Sequence, residues 1–489
     1  MVSARTAPAP SSVFSPALLT TTLGALSIMF LAAFEQMAVA TIMPRVADDL
    51  HGAALYSLAL SAPLATAVVG MVAAGAWTDR RGPTWPFITG GLAFVAGLLL
   101  SGLARDMLTF TGGRVVQGLG IGLIDVTMYV LVARLYPQHL HARVFGLFAA
   151  CWVLPSMIGP FVAGVVANVF SWHWVFLGVV VLVFGAAALI WPALRRLQEE
   201  EAAHDAAEPG SRSKVASQLV RAVIIAAAVL AIGFLGKAPG YGVVALLVLV
   251  AVVVFLLHPL LPADAYRLAV GLPAAIVVKF FVAGAYFGAE AYLPLLFNKV
   301  YGLDLTLSGL ALTAAAITWA VASWLQGRFL TGLADRVLLM IAVAVVVLCL
   351  GSLGLLTAVH APIWALVLAW GCGGFGMGLC YPRLSTLVIR LSPRQRQGFN
   401  SAALTMADAT GSATGVAVLG VLVAGAAVGP LVLVFALAAV VAVAGWGAAT
   451  RTGDGRQEET PRHESVFTGA LPMLPPADPT PIEGPDPQS

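Results

Sequence analysis

Apolar runs of about twenty residues recur along the whole chain, separated by short polar connectors. A helix needs about 20 residues to cross the hydrocarbon of a bilayer, so each run predicts one membrane span. The runs fall near 17–43, 55–77, 85–104, 108–134, 144–168, 172–193, 217–236, 240–261, 270–297, 308–327, 338–359, 363–389, 399–425 and 429–449. The pattern predicts an all-α polytopic membrane protein with about fourteen spans. The opening stretch MVSARTAPAPSSVFSP is polar, and the apolar run after it is too long for a cleaved signal, so that run reads as the first span. Residues 1–16 then form a short cytoplasmic tail. The segment 450–489 is rich in Pro, Asp and Glu, cannot bury a core, and is expected to be a disordered cytoplasmic tail.

Charge orients the spans. Most Lys and Arg fall in connectors on one side, with Arg45, Arg105, Lys237 and Lys299 on the other. This asymmetry satisfies the positive-inside rule when both termini are cytoplasmic. Composition narrows the class: 60% of residues are hydrophobic and 10% charged, against about 25% charged in soluble domains. The formal charge of +3 is too small to suggest nucleic acid. Cys151, Cys349, Cys372 and Cys380 all lie in apolar runs without a CxxC pair, so neither disulfide nor metal is expected. The excess of Arg over Lys (22 to 4), with abundant Ala, Gly and Val, points to a GC-rich bacterial source and its plasma membrane.

The chain also repeats itself. GLGIGLIDVTMYVLVARLYP begins at Gly118 and GFGMGLCYPRLSTLVIRLSP at Gly374, an offset of 256 residues. The same ungapped offset pairs Asp79 and Arg80 with Asp335 and Arg336, and Gly159 and Gly164 with Gly415 and Gly420. Two homologous six-span halves follow, residues 17–194 and 270–449. The stretch 195–269, with a charged segment and two further spans, is an insertion between them. Two parallel six-helix halves are a recurring transporter architecture, with substrate held at the midplane between them.

Buried charges mark candidate chemistry, since a charged side chain at mid-bilayer is disfavoured by about 2.5–3.5 kcal/mol on insertion scales. The acids within spans are Glu35, Asp125, Glu290 and Asp408; Arg114 and Lys279 are the deep bases. Glu35 and Glu290 each lie about 18 residues into the first span of their half. Arg114 precedes Asp125 by eleven residues, as Lys279 precedes Glu290, so each pair shares a helix face about 16 Å apart along it. An acid facing a cavity open alternately to each side could load and release a proton. Glu35 is expected to sense both proton and substrate, Asp125 to carry the coupling proton, Arg114 to modulate Asp125, Asp408 to handle protons or only pack, and Lys279 to serve the proton or substrate path or simply snorkel to the cytoplasmic face. Phe34, Tyr129, Trp152, Tyr286, Phe287, Tyr292 and Trp319 lie near these acids and offer cation–π surface to lipophilic cations, or plain packing.

Three local patterns complete the reading. The connector after the second span reads Gly75-x-x-x-Asp79-Arg80-x-Gly82. The fourth span carries Arg114, Gln117, Gly118, Gly120 and Gly122, and the fifth carries Gly159, Pro160 and Gly164. In this order they resemble the signatures of the major facilitator superfamily. FLAAFEQMAVATIMP and FNSAALTMADATGSATG resemble segments of its 14-helix drug:proton antiporters, with Glu35 where Asp is usual. The resemblance spans residues 17–449. Pro83, Thr84 and Pro155 depart from the family patterns. It implies two six-helix halves plus two inserted helices, and a gate in which Asp79 meets the penultimate helix near Phe399 to Ser401, with Asp335 and Arg336 as its repeat counterparts. It further implies a proton-coupled exporter of amphipathic small molecules, cationic or lipophilic; export of a dedicated metabolite or lipid is the alternative. A receptor or enzyme is the other class, but the sequence carries no HExxH, P-loop or Ser/His/Asp arrangement. The expected partners are substrate, protons and lipid, with no cofactor, no metal, no nucleic acid and no obligate protein partner.

Overall fold

A computed structural model describes residues 12–16, 18–203, 212–235, 242–262, 264–393, 396–423 and 428–453. Among these are fourteen helices long and apolar enough to cross a membrane. They are α1 (Leu19–Asp49), α2 (Tyr56–Arg81), α3 (Thr84–Gly102), α4 (Met107–Leu135), α5 (His141–Val169), α6 (His173–Ala203) and α7 (Arg212–Phe234). The remainder are α8 (Gly242–Leu257), α9 (Leu272–Glu290), α10 (Leu305–Phe329), α11 (Asp335–Ala358), α12 (Ile363–Leu391), α13 (Gln397–Leu422) and α14 (Val428–Ala449). Each predicted run overlaps one of them. The expected disordered tail lies largely outside the described residues, as do residues 1–11 of the expected N-terminal tail.

Local chemistry sets the helix ends. Asp106 caps α4 by accepting from the Thr109 backbone N–H at 2.8 Å, and Asp304 caps α10 through Leu307 at 2.7 Å. Gly82 ends α2 at φ 76° and ψ 171°, a conformation that a side chain would oppose. The last turns of α2, α4, α10 and α12 carry Arg80, Arg81, Arg134, Arg328 and Arg390. These cations complement the helix dipoles and make one face of the bundle rich in arginine. With fourteen crossings, α1 starts and α14 ends at that same face.

In the N-terminal half, α1 packs on α5 and α6, α2 on α4, and α3 on α4 and α6. In the C-terminal half, α9 packs on α13 and α14, α10 on α12, and α11 on α12 and α14. The halves meet through α2 with α13 and α5 with α10. Close approach needs small residues: a Cβ at Gly118 or Gly122 would overlap α2, and one at Gly164 would lie 2.5 Å from the Leu305 carbonyl of α10. The inserted pair is placed asymmetrically. Helix α7 lies on both α2 and α13, burying Ala222, Ile225, Ala226, Val229 and Ile232, while α8 packs on α7 and leaves Val243, Val244, Leu247 and Phe255 exposed. Helical spacing of 3–4 residues gives α7 its buried stripe. Among the described residues, α7 thus covers the α2–α13 seam, and neither inserted helix packs on the α5–α10 seam.

Candidate functional site

The halves are tied together at the face opposite the arginines. Lys299 Nζ reaches Asp48 Oδ2 at 2.5 Å, Asn168 donates to Thr306 Oγ1 at 2.9 Å, and the Tyr56 hydroxyl donates to the Ala291 carbonyl at 3.1 Å. Gly420 of α13 touches Ser57 of α2, Gly309 touches the Pro160 carbonyl, and at mid-depth Thr313 donates to the Met157 carbonyl at 3.1 Å. Among the described residues, neither α4 nor α12 packs closely on the opposite half. A cleft therefore opens toward the arginine-rich face. None of these contacts was legible from motifs, because each joins residues of ordinary type from opposite halves; the pairing of Gly164 with Gly420 by the repeat was the one hint.

The wall of the C-terminal half holds a charged cluster drawn from three helices. Asp408 of α13 accepts from the Tyr381 hydroxyl of α12 at 2.6 Å, and Lys279 Nζ of α9 lies 3.6 Å from the same oxygen. The same ammonium sits 2.9 Å above the centroid of the Tyr381 ring. Of the two readings of Lys279, the structure does not show snorkelling to the membrane surface; its ammonium is spent on an acid and an aromatic face. The side chain of Asp408 is 30% exposed while that of Lys279 is 7% exposed, so the carboxylate is the member that meets the cleft. Trp319 stands 5.0 Å from the Tyr381 ring and Phe287 6.1 Å. Tyr286 is buried behind them, stacked on Trp370 at 4.5 Å, and so packs the wall without facing the cleft. Tyr292 is also buried, its hydroxyl on the Val416 carbonyl at 2.6 Å.

The N-terminal half treats its charges differently. Arg114 of α4 pairs with Glu35 of α1 and donates to Gln117 Oε1 at 2.6 Å. Their side chains are 3% and 0% exposed, so in this conformation Glu35 has no surface in the cleft, and Arg114 serves Glu35 and not Asp125. Asp125, a turn before Tyr129, has a buried Oδ1 that no described group bonds. Glu290, the last residue of α9, likewise has no hydrogen bond or ion pair among the described residues. Tyr129 is 53% exposed and packs against Phe145 and Phe148. Trp152 is half-buried on α5, and Phe34, half-buried on α1, stacks on Phe30 and abuts Gly159.

A model of the Major Facilitator Superfamily matches residues 25–416. The chain belongs to that superfamily. Its fold resembles the solved structure of the POT family transporter PepTSo, with a TM-score of 0.65 over 90% of this chain and 99% of that one at 13% identity. In sequence it is 25% identical to "Multidrug resistance protein 3" of Bacillus subtilis (strain 168), over 78% of this chain and 74% of that protein. It is 27% identical to the "Methylenomycin A resistance protein" of the same organism, over 72% and 76%.

The superfamily signatures have distinct places in this fold. Asp79 is exposed, and no ion pair reaches it among the described residues; neither hydrogen bond nor ion pair joins it to Phe399 or Ser401 in this cleft-open conformation. Arg80 flanks it, and Gly75 has open space where a Cβ would stand. Asp335, its repeat counterpart, is held by both Arg383 and Arg390 of α12, while Arg336 is exposed. Pro160 lies within α5, at the point where Gly309 of α10 crosses it.

Proposed function

We propose that this member of the Major Facilitator Superfamily is a proton-coupled exporter of amphipathic small molecules, cationic or lipophilic, working by alternating access in a bacterial plasma membrane. The observation that carries the reading is the cleft between two repeat-related halves, joined at one face and parted at the other. The excess of Arg and Lys assigns the open face to the cytoplasm. An exporter loads from that side. Asp408, Tyr381 and Trp319 offer an arriving molecule negative charge and aromatic surface. Asp125 and Glu290 are the span acids that can take up a proton without breaking an ion pair. The drug-resistance names of the relatives support the outward direction.

A proton falling through about 100 mV releases about 2.3 kcal/mol, enough in one-for-one exchange to sustain a roughly 50-fold gradient of a substrate without net charge; exchange for a monovalent cation draws on the pH difference instead. The test is uptake into everted vesicles or proteoliposomes under an imposed proton gradient, beside growth of a pump-deficient host on a panel of toxic compounds. Gradient-dependent accumulation and resistance are expected. Accumulation indifferent to the proton gradient would overturn the coupling, and no gain of resistance or transport for any compound would overturn the export reading.

A further inference from the structure

We propose that Lys279, Asp408 and Tyr381 form a recognition site for zwitterionic amphiphiles, in which the ligand exchanges its own pair of charges for theirs. The inference rests on reading the chain as a carrier of amphipathic molecules, and it narrows their class.

The cluster already has the form of an ammonium site: a carboxylate, a phenol bonded to it, and an aromatic face beneath. Its occupant is the chain's own ammonium, with Nζ 2.9 Å over the Tyr381 ring and 3.6 Å from Asp408. A molecule bearing only a positive charge can take Asp408 from the cleft side, but it strands the Lys279 ammonium, whose side chain is 7% exposed. A buried charge that loses its partner is strongly disfavoured. A molecule bearing only a negative charge draws Lys279 away and offers Asp408 no counter-charge, only repulsion from its own anion. A neutral one leaves the pair closed and draws nothing from it. A ligand with both charges compensates both partners at once: its cation takes Asp408 and the Tyr381 face, and its anion takes Lys279. Lysine suits this exchange because its ammonium is a point charge on a flexible stem, with no fixed fork geometry to lose. Asp408, 30% exposed at the cleft, is the member a ligand meets first.

The matched probes are rhodamine B, a zwitterion, and its ethyl ester, which differs by one masked carboxylate and is a cation; fluorescein supplies the anion. Binding of each to the purified full chain in nanodiscs is measured by fluorescence polarisation. The zwitterion should bind at least tenfold tighter than the ester and the anion. Lys279→Met should reverse the preference between zwitterion and ester, and Asp408→Asn should favour the anion. The double variant Lys279→Met/Asp408→Asn keeps the cluster neutral and guards against misfolding of either single one; it should bind zwitterion and ester alike. Equal binding of zwitterion and ester by the wild type, or discrimination that persists in the double variant, overturns the proposal. If cells export both dyes while the purified protein does not discriminate, the export reading stands and this one falls. Binding of none of the three overturns it as well.

Discussion

The two halves match one another at an offset of 256 residues, yet they place their charges in opposite ways. In the N-terminal half the mid-membrane pair is sealed: Arg114 and Glu35 are 3% and 0% exposed, with Gln117 closing the third side. At its arginine-rich end, Asp79 stands exposed. In the C-terminal half the mid-membrane pair meets the cleft through Asp408, and it is the loop acid, Asp335, that is clamped by Arg383 and Arg390. The offset of 256 explains part of this. Arg383 corresponds to Thr127, whose hydroxyl bonds the Leu123 carbonyl of its own helix at 2.6 Å, so Asp79 lacks that second guanidinium. Asp125 corresponds to Tyr381, and Asp408 to Trp152. Choice of base follows the same division. A planar guanidinium fixes a permanent bond, and an ammonium allows an exchangeable one. One half thus buries its mid-membrane pair and exposes Asp79, while the other exposes Asp408 and clamps Asp335.

The strongest break in this comparison is expected at Asp125, the unpaired acid of the N-terminal half. Asp125→Asn should abolish uphill accumulation in proteoliposomes while exchange down a gradient persists; uphill transport at the wild-type rate would remove Asp125 from the coupling. Next comes the sealed pair. Arg114→Met leaves Glu35 buried without a counter-charge and should cost about 3–5 kcal/mol, read as loss of monodisperse protein on heating. Lys279→Met should cost markedly less, because water can reach Asp408. Equal losses would mean that the two pairs are not differently embedded.

Closure at the joined face gives a third handle. A valine at Gly420 would push α13 from Ser57 of α2 and should disfavour the cleft-open conformation by about 1–3 kcal/mol, a roughly fivefold to hundredfold shift. Alkylation of a cysteine placed at Ser57, reached from the joined face, would report it; unchanged labelling argues against that contact as a latch. The smallest effects concern the loop acids. Asp335→Asn should lower stability by about 1–3 kcal/mol, since it removes the negative charge that Arg383 and Arg390 share. Asp79→Asn should change stability by less than about 0.5 kcal/mol. It should nonetheless slow turnover with little change in substrate affinity, if Asp79 meets the penultimate helix when the cleft closes. Wild-type turnover would dismiss that gate.

What the sequence determined by itself is whatever depends on neighbours along the chain. Twenty consecutive apolar residues become a span wherever they occur, so the fourteen helices were readable as hydropathy, and the matching of the halves was readable as a fixed offset. The presence of four acids and two bases in the spans was equally plain, because each is anomalous in its own segment. Which acid meets which base was decided only by the tertiary structure. Arg114 and Asp125 share a helix face, and spacing alone suggested that they act together; yet Arg114 turned to Glu35, 79 residues away in the sequence. Lys279, spaced from Glu290 in the same way, turned to Asp408. Helical spacing specifies direction, but the partner is set by which helix packs there, and in a membrane that depends on where small residues let two backbones approach. The cleft itself has the same origin, since it exists only in how the halves meet.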